Sequence, residues 1–389
     1  MNQADGFNAL GDPLASNDQV LVNSLSADGL TLSGNRFTAD GHANAWYWTK
    51  STGFVDIGPL AGHEDSACFV TAVNATSGVA VGYFANGGYF LRSGEGHVID
   101  PQAWMQTLAG PVSSTSTAFA LSSQPMEGAH HRPLSSCLIP GKNEFAWVTG
   151  DYGVASNGRD LRQGAGELGY GYRVGQGGVV GFSAGYYDQR QLFDLAGSGD
   201  STGRFVVGET GFDLGKGQLS LTALYGVTTV DTIRGYVVGL ATDHSTGHTS
   251  GRSFSFRARY DGSDFGSVAG QALSPYVSLT YDHTRLDGYS ETGGAFPAVF
   301  AERTDSRTVG RVGLIARAEL GKSDTLRTTL ELAHSFSGAS AAIQGTDVAT
   351  GLVDFSVPGT ADRSTWGRVG LDLDHRLSAS TVLNFTVHA

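Results

Sequence analysis

Arg252-Ser253-Phe254-Ser255-Phe256-Arg257-Ala258-Arg259-Tyr260 alternates without a break. Successive side chains of a strand point to opposite faces, so Phe254, Phe256, Ala258 and Tyr260 share one side, and Ser253, Ser255, Arg257 and Arg259 share the other. One face suits hydrocarbon and the other suits water. The split recurs as Gly310, Val312, Leu314, Ala316, Ala318 and Leu320 against Arg311, Gly313, Ile315, Arg317 and Glu319. It returns as Leu326, Thr328, Leu330 and Leu332 against Arg327, Thr329, Glu331 and Ala333, and as Val369, Leu371 and Leu373 against Arg368, Gly370, Asp372 and Asp374. From Asn143 onward such segments, each of about ten residues and separated by Gly, Asp and Ser clusters, carry the signature of an antiparallel transmembrane β-barrel.

A soluble sandwich also alternates, so the polar faces and strand ends decide between the two. The polar faces hold both signs of charge. Arg257, Arg259, Arg311, Arg317, Arg327 and Arg368 are expected to meet Glu167, Asp282, Glu319, Glu331, Asp372 and Asp374 across a wet lumen, with Arg173 also lining it. Aromatic residues such as Trp147, Tyr152, Tyr170, Tyr172, Tyr225, Tyr281 and Trp366 gather near segment ends, as interfacial girdles do. Short turns at 174–178 and 214–217 alternate with longer connections, notably Val227 to Gly251 and Ser337 to Ser364. Eleven strands are expected, near 143–151, 165–174, 178–190, 202–214, 217–230, 251–260, 274–287, 308–320, 324–337, 365–376 and 380–389. Single-chain bacterial barrels close with even numbers, so one strand is expected to be missing.

Composition fits an all-β chain. Of 389 residues, 56 are glycine, roughly double ordinary usage, with no collagen period, which suits many strands joined by tight turns. The net charge of −12 repels phosphate backbones, and no basic run offsets it, so nucleic acid is not an expected partner. A mean hydropathy of −0.11 is compatible with a barrel, because every second strand residue faces water. The two cysteines, Cys68 and Cys137, exclude a disulfide scaffold; a single bridge between them is allowed in an oxidising compartment, and two unpaired thiols are the simpler reading. The first residues show neither a basic nor an apolar signal segment.

Ahead of the barrel the chain repeats itself. Ala43-Asn44-Ala45-Trp46-Tyr47-Trp48-Thr49-Lys50-Ser51 matches Ala85-Asn86-Gly87-Gly88-Tyr89-Phe90-Leu91-Arg92-Ser93 at an offset of 42. Each copy follows an apolar run ending in glycine, a period that belongs to propeller blades and related β repeats. Trp46-Tyr47-Trp48, then Asp56-Ile57-Gly58-Pro59-Leu60-Ala61-Gly62, then Val73 to Gly82 resemble the extracellular HAF repeats. That resemblance implies a surface-displayed module without catalytic chemistry. Between Pro101 and Leu121, Trp104, Met105, Leu108, Val112 and Phe119 are spaced for short helical turns.

The back of the chain resembles the autotransporter β-domain of type V secretion. The likeness rests on the order and spacing of Phe145–Gly153, Gly178–Tyr186, the proline-led Leu273–Tyr281 and Arg307–Leu314. It implies a twelve-stranded barrel in the outer membrane, assembled by the barrel-assembly machinery, with a helix threading the pore before the first strand and delivery of an upstream passenger to the cell surface. Pro101 to Leu121 would be that helix. The expected organisation is a repeat module over 1–100, a linker with the pore helix over 101–142 and a monomeric barrel over 143–389 that lacks its last strand and the terminal aromatic of the family.

Catalytic signatures are absent. Gly11-Asp12-Pro13-Leu14 has proline where an esterase Gly-Asp-Ser-Leu block has its nucleophile, and no G-x-S-x-G elbow occurs. His63-Glu64-Asp65-Ser66-Ala67 lacks the second histidine of a zinc motif, and the adjacent His130 and His131 have no third ligand spaced for them. No metal or other cofactor is expected, and nothing in the repeat points to a ligand. The self-cleaving members of the resembled family use a helix asparagine pair, whereas 101–141 contains no asparagine. The reading is an outer-membrane translocator rather than an enzyme. Its alternatives are a translocator whose catalytic passenger lies elsewhere, and a plain adhesin or porin-like barrel.

Overall fold

The computed structural model describes residues 18–389 except 40, 58–59, 75–78, 114–123, 139–140, 156–160, 176, 264, 337–340 and 359–363. The Gly11-Asp12-Pro13-Leu14 block, residues 75–78 of the second repeat and residues 114–121 of the expected pore helix lie outside that set.

Eleven antiparallel strands form the large sheet: β9 (Glu144–Ala155), β10 (Leu161–Val174), β11 (Gly178–Leu192), β12 (Ser198–Leu214), β13 (Gly217–Val238), β14 (Ala241–Gly262), β16 (Gln271–Leu286), β19 (Arg303–Glu319), β20 (Asp324–Ser335), β23 (Thr365–Ser378) and β24 (Thr381–His388). They pair in chain order from β9 to β24, and the short β15 (Gly266–Val268) folds back on β16. The sheet is a curled, open half-barrel with β9 and β24 at its edges. Parity places side chains as the alternation predicts. Val148 is 79% exposed and Leu168 63% on the outer face, whereas Ser255 is fully buried and Arg257 6% exposed on the inner one. An apolar exterior over a polar interior inverts a soluble protein and is what hydrocarbon selects. Among the described residues no helix is long and apolar enough to cross a membrane; the crossing elements are strands.

Strand number agrees with the sequence reading, and strand length departs from it. The segment Val227 to Gly251, expected as a long loop, is the outer half of a hairpin in which β13 and β14 stay in register to Val238 and Ala241. Each strand has 22 residues, about 70 Å at ~3.3 Å per residue, against the 9–11 residues that cross a bilayer. The outer half is too polar to resemble a lipid-facing strand, yet it keeps its period, with Val230, Thr232, Arg234 and Tyr236 all buried on one side.

Two outer connections fold as well. β17 (Tyr289–Ser290) and β18 (Ala298–Phe300) come from the segment between β16 and β19, and β21 (Ile343–Asp347) and β22 (Asp354–Val357) from the segment between β20 and β23. They join as one sheet in the order β17-β18-β21-β22.

The first hundred residues form two four-stranded meanders. One comprises β1 (Gln19–Leu25), β2 (Thr31–Phe37), β3 (Ala43–Thr49) and β4 (Gly53–Asp56); the other β5 (Cys68–Val73), β6 (Ala80–Phe84), β7 (Tyr89–Arg92) and β8 (Val98–Ile99). The repeated stretches are β3 and β7, each the third strand of its sheet. The sheets share a core of Ala45, Tyr47 and Ile57 against Cys68, Phe84 and Phe90. Arg92 lies over the Tyr47 ring at 3.7 Å, and the Asn35 amide donates to Cys68 O at 2.7 Å.

Candidate pore and the segment that fills it

Between module and barrel the chain forms α1 (Pro101–Thr107), capped by the Asp100 carboxylate on Gln102 N and Ala103 N, then a further helical turn at 109–113. It continues as α2 (Gln124–Glu127) and a 3₁₀ turn over Leu134–Cys137. α1 stands at the outer mouth, while the stretch from α2 to the 3₁₀ turn lies inside the sheet's concave face.

Buried polar groups need hydrogen-bond partners, and the inward charges find theirs on this inserted segment. Arg257 Nη1 donates to Met126 O at 2.7 Å, and its Nη2 donates to His130 O. Arg259 Nη1 donates to His131 O at 2.8 Å, while its Nε holds Asp261 at 2.8 Å. Glu127 accepts from Arg368 Nη1 at 3.0 Å and from Arg311, so two guanidinium groups converge on one carboxylate. Arg132 reaches Asp374 at 3.3 Å, and Asp374 also receives Arg327.

His130 is the most enclosed member. Its Nδ1 stands 3.0 Å from Glu209 Oε2 and its Nε2 3.1 Å from Glu167 Oε1. Each ring nitrogen thus faces a carboxylate oxygen. Glu167 also accepts from Trp147 Nε1 at 2.6 Å; Glu209 accepts from Leu134 N at 2.7 Å and Thr222 Oγ1 at 3.1 Å. His131 Nε2 meets Asp372 at 2.7 Å, a carboxylate that Thr386 also reaches at 2.7 Å. Glycine makes room for this traffic. A Cβ at Gly181 would stand 2.3 Å from Leu134 Cδ1, and one at Gly169 would stand 2.1 Å from the Trp147 ring.

The remaining expected residues lie apart from the segment. Glu331 accepts from Tyr276 Oη at 2.6 Å and faces Arg311 Nε at 3.5 Å. Asp282 is buried in register with Ser255 and Arg307. Arg317 and Glu319 pair with each other at 2.5 Å, both exposed at the short-turn end, where a cavity of about 1960 Å³ opens. Arg173 is half-buried at the same end, its backbone N donating to Asn143 O at 2.7 Å. The expected pairing of opposite charges across the lumen is therefore corrected. The charges bind their own strand, as in Arg259–Asp261 and Arg317–Glu319, a neighbouring strand about 4.8 Å away, or the inserted chain, because an arginine reaches these and not the far wall.

Sequence reasoning missed Glu127, Arg132 and Glu209, and read His130 and His131 as a polar connector near the pore mouth rather than as a metal pair. Among the described residues no group of three or more His, Cys, Asp or Glu is arranged to hold a metal. A signal for Glu209 existed, since it shares the inner face of β12 with Phe205 and Val207.

Residues 145–388 match the family described as the autotransporter beta-domain. This chain belongs to that family. The translocator domain of the autotransporter NalP from Neisseria meningitidis is similar in structure, with a TM-score of 0.55 at 17% identity over 71% of this chain and 92% of that one. No curated protein matches the chain. The back of the chain is thus an outer-membrane translocator domain, which is not itself a catalyst.

Proposed function

We propose that the translocator carries the repeat module of residues 1–100 to the cell surface and keeps it there, linked through the uncut segment 101–142. The observation that carries this reading is continuity: one chain runs from the module through α1 at the outer mouth, then past Met126, His130 and Leu134 inside the barrel, and into β9 at the short-turn end. A passenger sent through the pore leaves its tail in that position.

The inward arginines and carboxylates, from Glu167 and Arg257 to Asp372 and Asp374, serve first as a wetted wall along which an unfolded passenger slides and afterwards as the grip on the last segment. The apolar outer face supports outer-membrane lipid as its surroundings, and delivery by the barrel-assembly machinery and function as a monomer belong to the same reading. The HAF-like character of the repeats supports a role in surface contact. The absence of asparagine from 101–141 supports permanent attachment.

Heat-modifiable migration tests the barrel. Protein refolded in detergent is expected to run differently before and after boiling, and identical bands would remove the barrel. On whole cells, external protease is expected to remove the module, and a passenger fragment released without added protease would end the attachment reading.

A further inference from the structure

A stacked β repeat buries each face against a neighbour, and the last one needs a cap. In the second repeat, Phe84 and Phe90 face the first repeat. Val79, Leu91 and Ile99, on the opposite face, meet no third repeat. They share one buried cluster with Trp104 and Leu108 of α1 and with Phe296, Phe300, Ile343 and Phe355 from the barrel's outer connections. Among the described residues the loop sheet β17-β18-β21-β22 has no pairing with the module, and α1 packs against both.

The β13–β14 hairpin braces the other side. Gly239 at its tip, at φ +58, donates its N–H to Val98 O at 2.9 Å and accepts from Ala61 N at 3.0 Å, touching both repeats. One buried ion pair ties arm, helix and loop sheet together. Arg234 of β13, 1% exposed, donates through Nε to Glu291 at 3.0 Å, through Nη1 to Thr107 Oγ1 at 3.0 Å and through Nη2 to Phe296 O at 2.8 Å. The Trp104 indole donates to the same Phe296 carbonyl at 3.0 Å. Every nitrogen of the guanidinium has an acceptor: Thr107 on α1, and Glu291 and the Phe296 carbonyl on the connection between β17 and β18.

We propose that α1, clamped by the barrel's outer hairpin and loop sheet through Arg234 and Glu291, is the end cap of the repeat stack, so that the passenger folds on the barrel mouth and not independently of it. This rests on the reading of residues 1–100 as a surface passenger. It assigns the loop sheet a task distinct from passage: it completes the base only when α1 has reached the outer mouth, so the repeats acquire their covering surface at the end of export.

The full chain provides its own reporter, because Cys68 lies in the core between the two repeats. Arg234→Met and, independently, Phe355→Ala on the loop sheet are each refolded beside the unaltered protein. Barrel formation is read by heat-modifiable migration and module folding by the rate of Cys68 alkylation, with Cys137→Ser in every variant. The expected result is an unchanged migration shift with Cys68 labelling faster by roughly tenfold or more, as local opening requires. Cys68 protection equal to the parent in either variant that keeps its shift overturns the cap. If Arg234→Met alone loses the shift, Phe355→Ala decides, since its side chain lies outside the barrel strands. Loss of the shift in both, with Cys68 still protected, also overturns the cap, because the module would then fold without a barrel mouth. Failure of the parent to shift would instead strike the translocator reading.

Discussion

Cys68 and Cys137 differ in access to solvent, and their reactivity follows. Both are unpaired; Cys68 is buried in the repeat core, where burial pushes its thiol up to about 12, and Cys137 is exposed at the short-turn end of the barrel. Only the thiolate is nucleophilic, so a thiol with a raised value is overwhelmingly protonated at pH 8, and its thiolate fraction is about a thousandfold below that of an ordinary cysteine. Iodoacetamide at pH 8 is expected to label Cys137 alone until the protein is denatured; rapid labelling of both, measured by mass, would contradict the buried core. The bridge the sequence allowed does not form. Glu127 offers a second test. Converting it to Gln leaves the Arg311 and Arg368 guanidinium groups facing each other without their carboxylate, at a cost of ~2 kcal/mol given that the site is partly solvated. Planar-bilayer recording of Glu127→Gln is expected to show more frequent openings than the parent, and an unaltered trace would mean that the inserted segment is held elsewhere.

At the scale of elements, period-2 alternation located every barrel strand, because lipid on one side and water on the other act on each residue singly. The outer ends were not legible. On β13, the outward-pointing Thr229 and Asp231 are polar, so the outward positions lose their regular apolar mark toward the outer end while the backbone stays in sheet. The loop sheet was hidden for another reason: its four strands have two to five residues, and the pairing that joins its two short hairpins spans more than 40 positions of sequence, as Val299 does with Thr346. Nothing local announces such a pairing. The inserted segment was half legible. Pattern suggested helix from Pro101, yet the residues that grip the lumen are Glu127, His130, His131 and Arg132, in a stretch that reads as a polar connector because its partners are supplied by strands up to 242 positions away. An element-scale experiment follows. Shortening the β13–β14 hairpin by removing 233–246 leaves a strand pair still long enough to span a bilayer, so heat-modifiable migration is expected to persist while protease attack on the module accelerates; loss of the barrel would show that the outer half is needed for insertion.

For the whole molecule, parity of strand direction sets what can close the sheet. β9 starts at the short-turn end and each partner reverses, so after ten reversals β24 runs in the same sense as β9. Brought together, the two edges would meet parallel, whereas every other pair is antiparallel. One further strand, running back from the outer end, would be antiparallel to both and would supply partners for two rows of backbone groups that hydrocarbon cannot solvate. The seam is furnished for such an occupant: Phe145, Trp147 and Thr149 of β9 and Asn384, Thr386 and His388 of β24 line the same cavity at its inner side, and Val148 and Val387 flank it. A chain extended past Ala389 by an alternating strand of about ten residues ending in an aromatic is therefore expected to insert into vesicles more completely and to resist unboiled detergent better than the 389-residue chain. The comparison is one gel, with the fraction in the fast-migrating folded band as the measure. Equal fractions would show that the eleven-strand sheet meets its own edges, and the even-number rule would not govern this barrel.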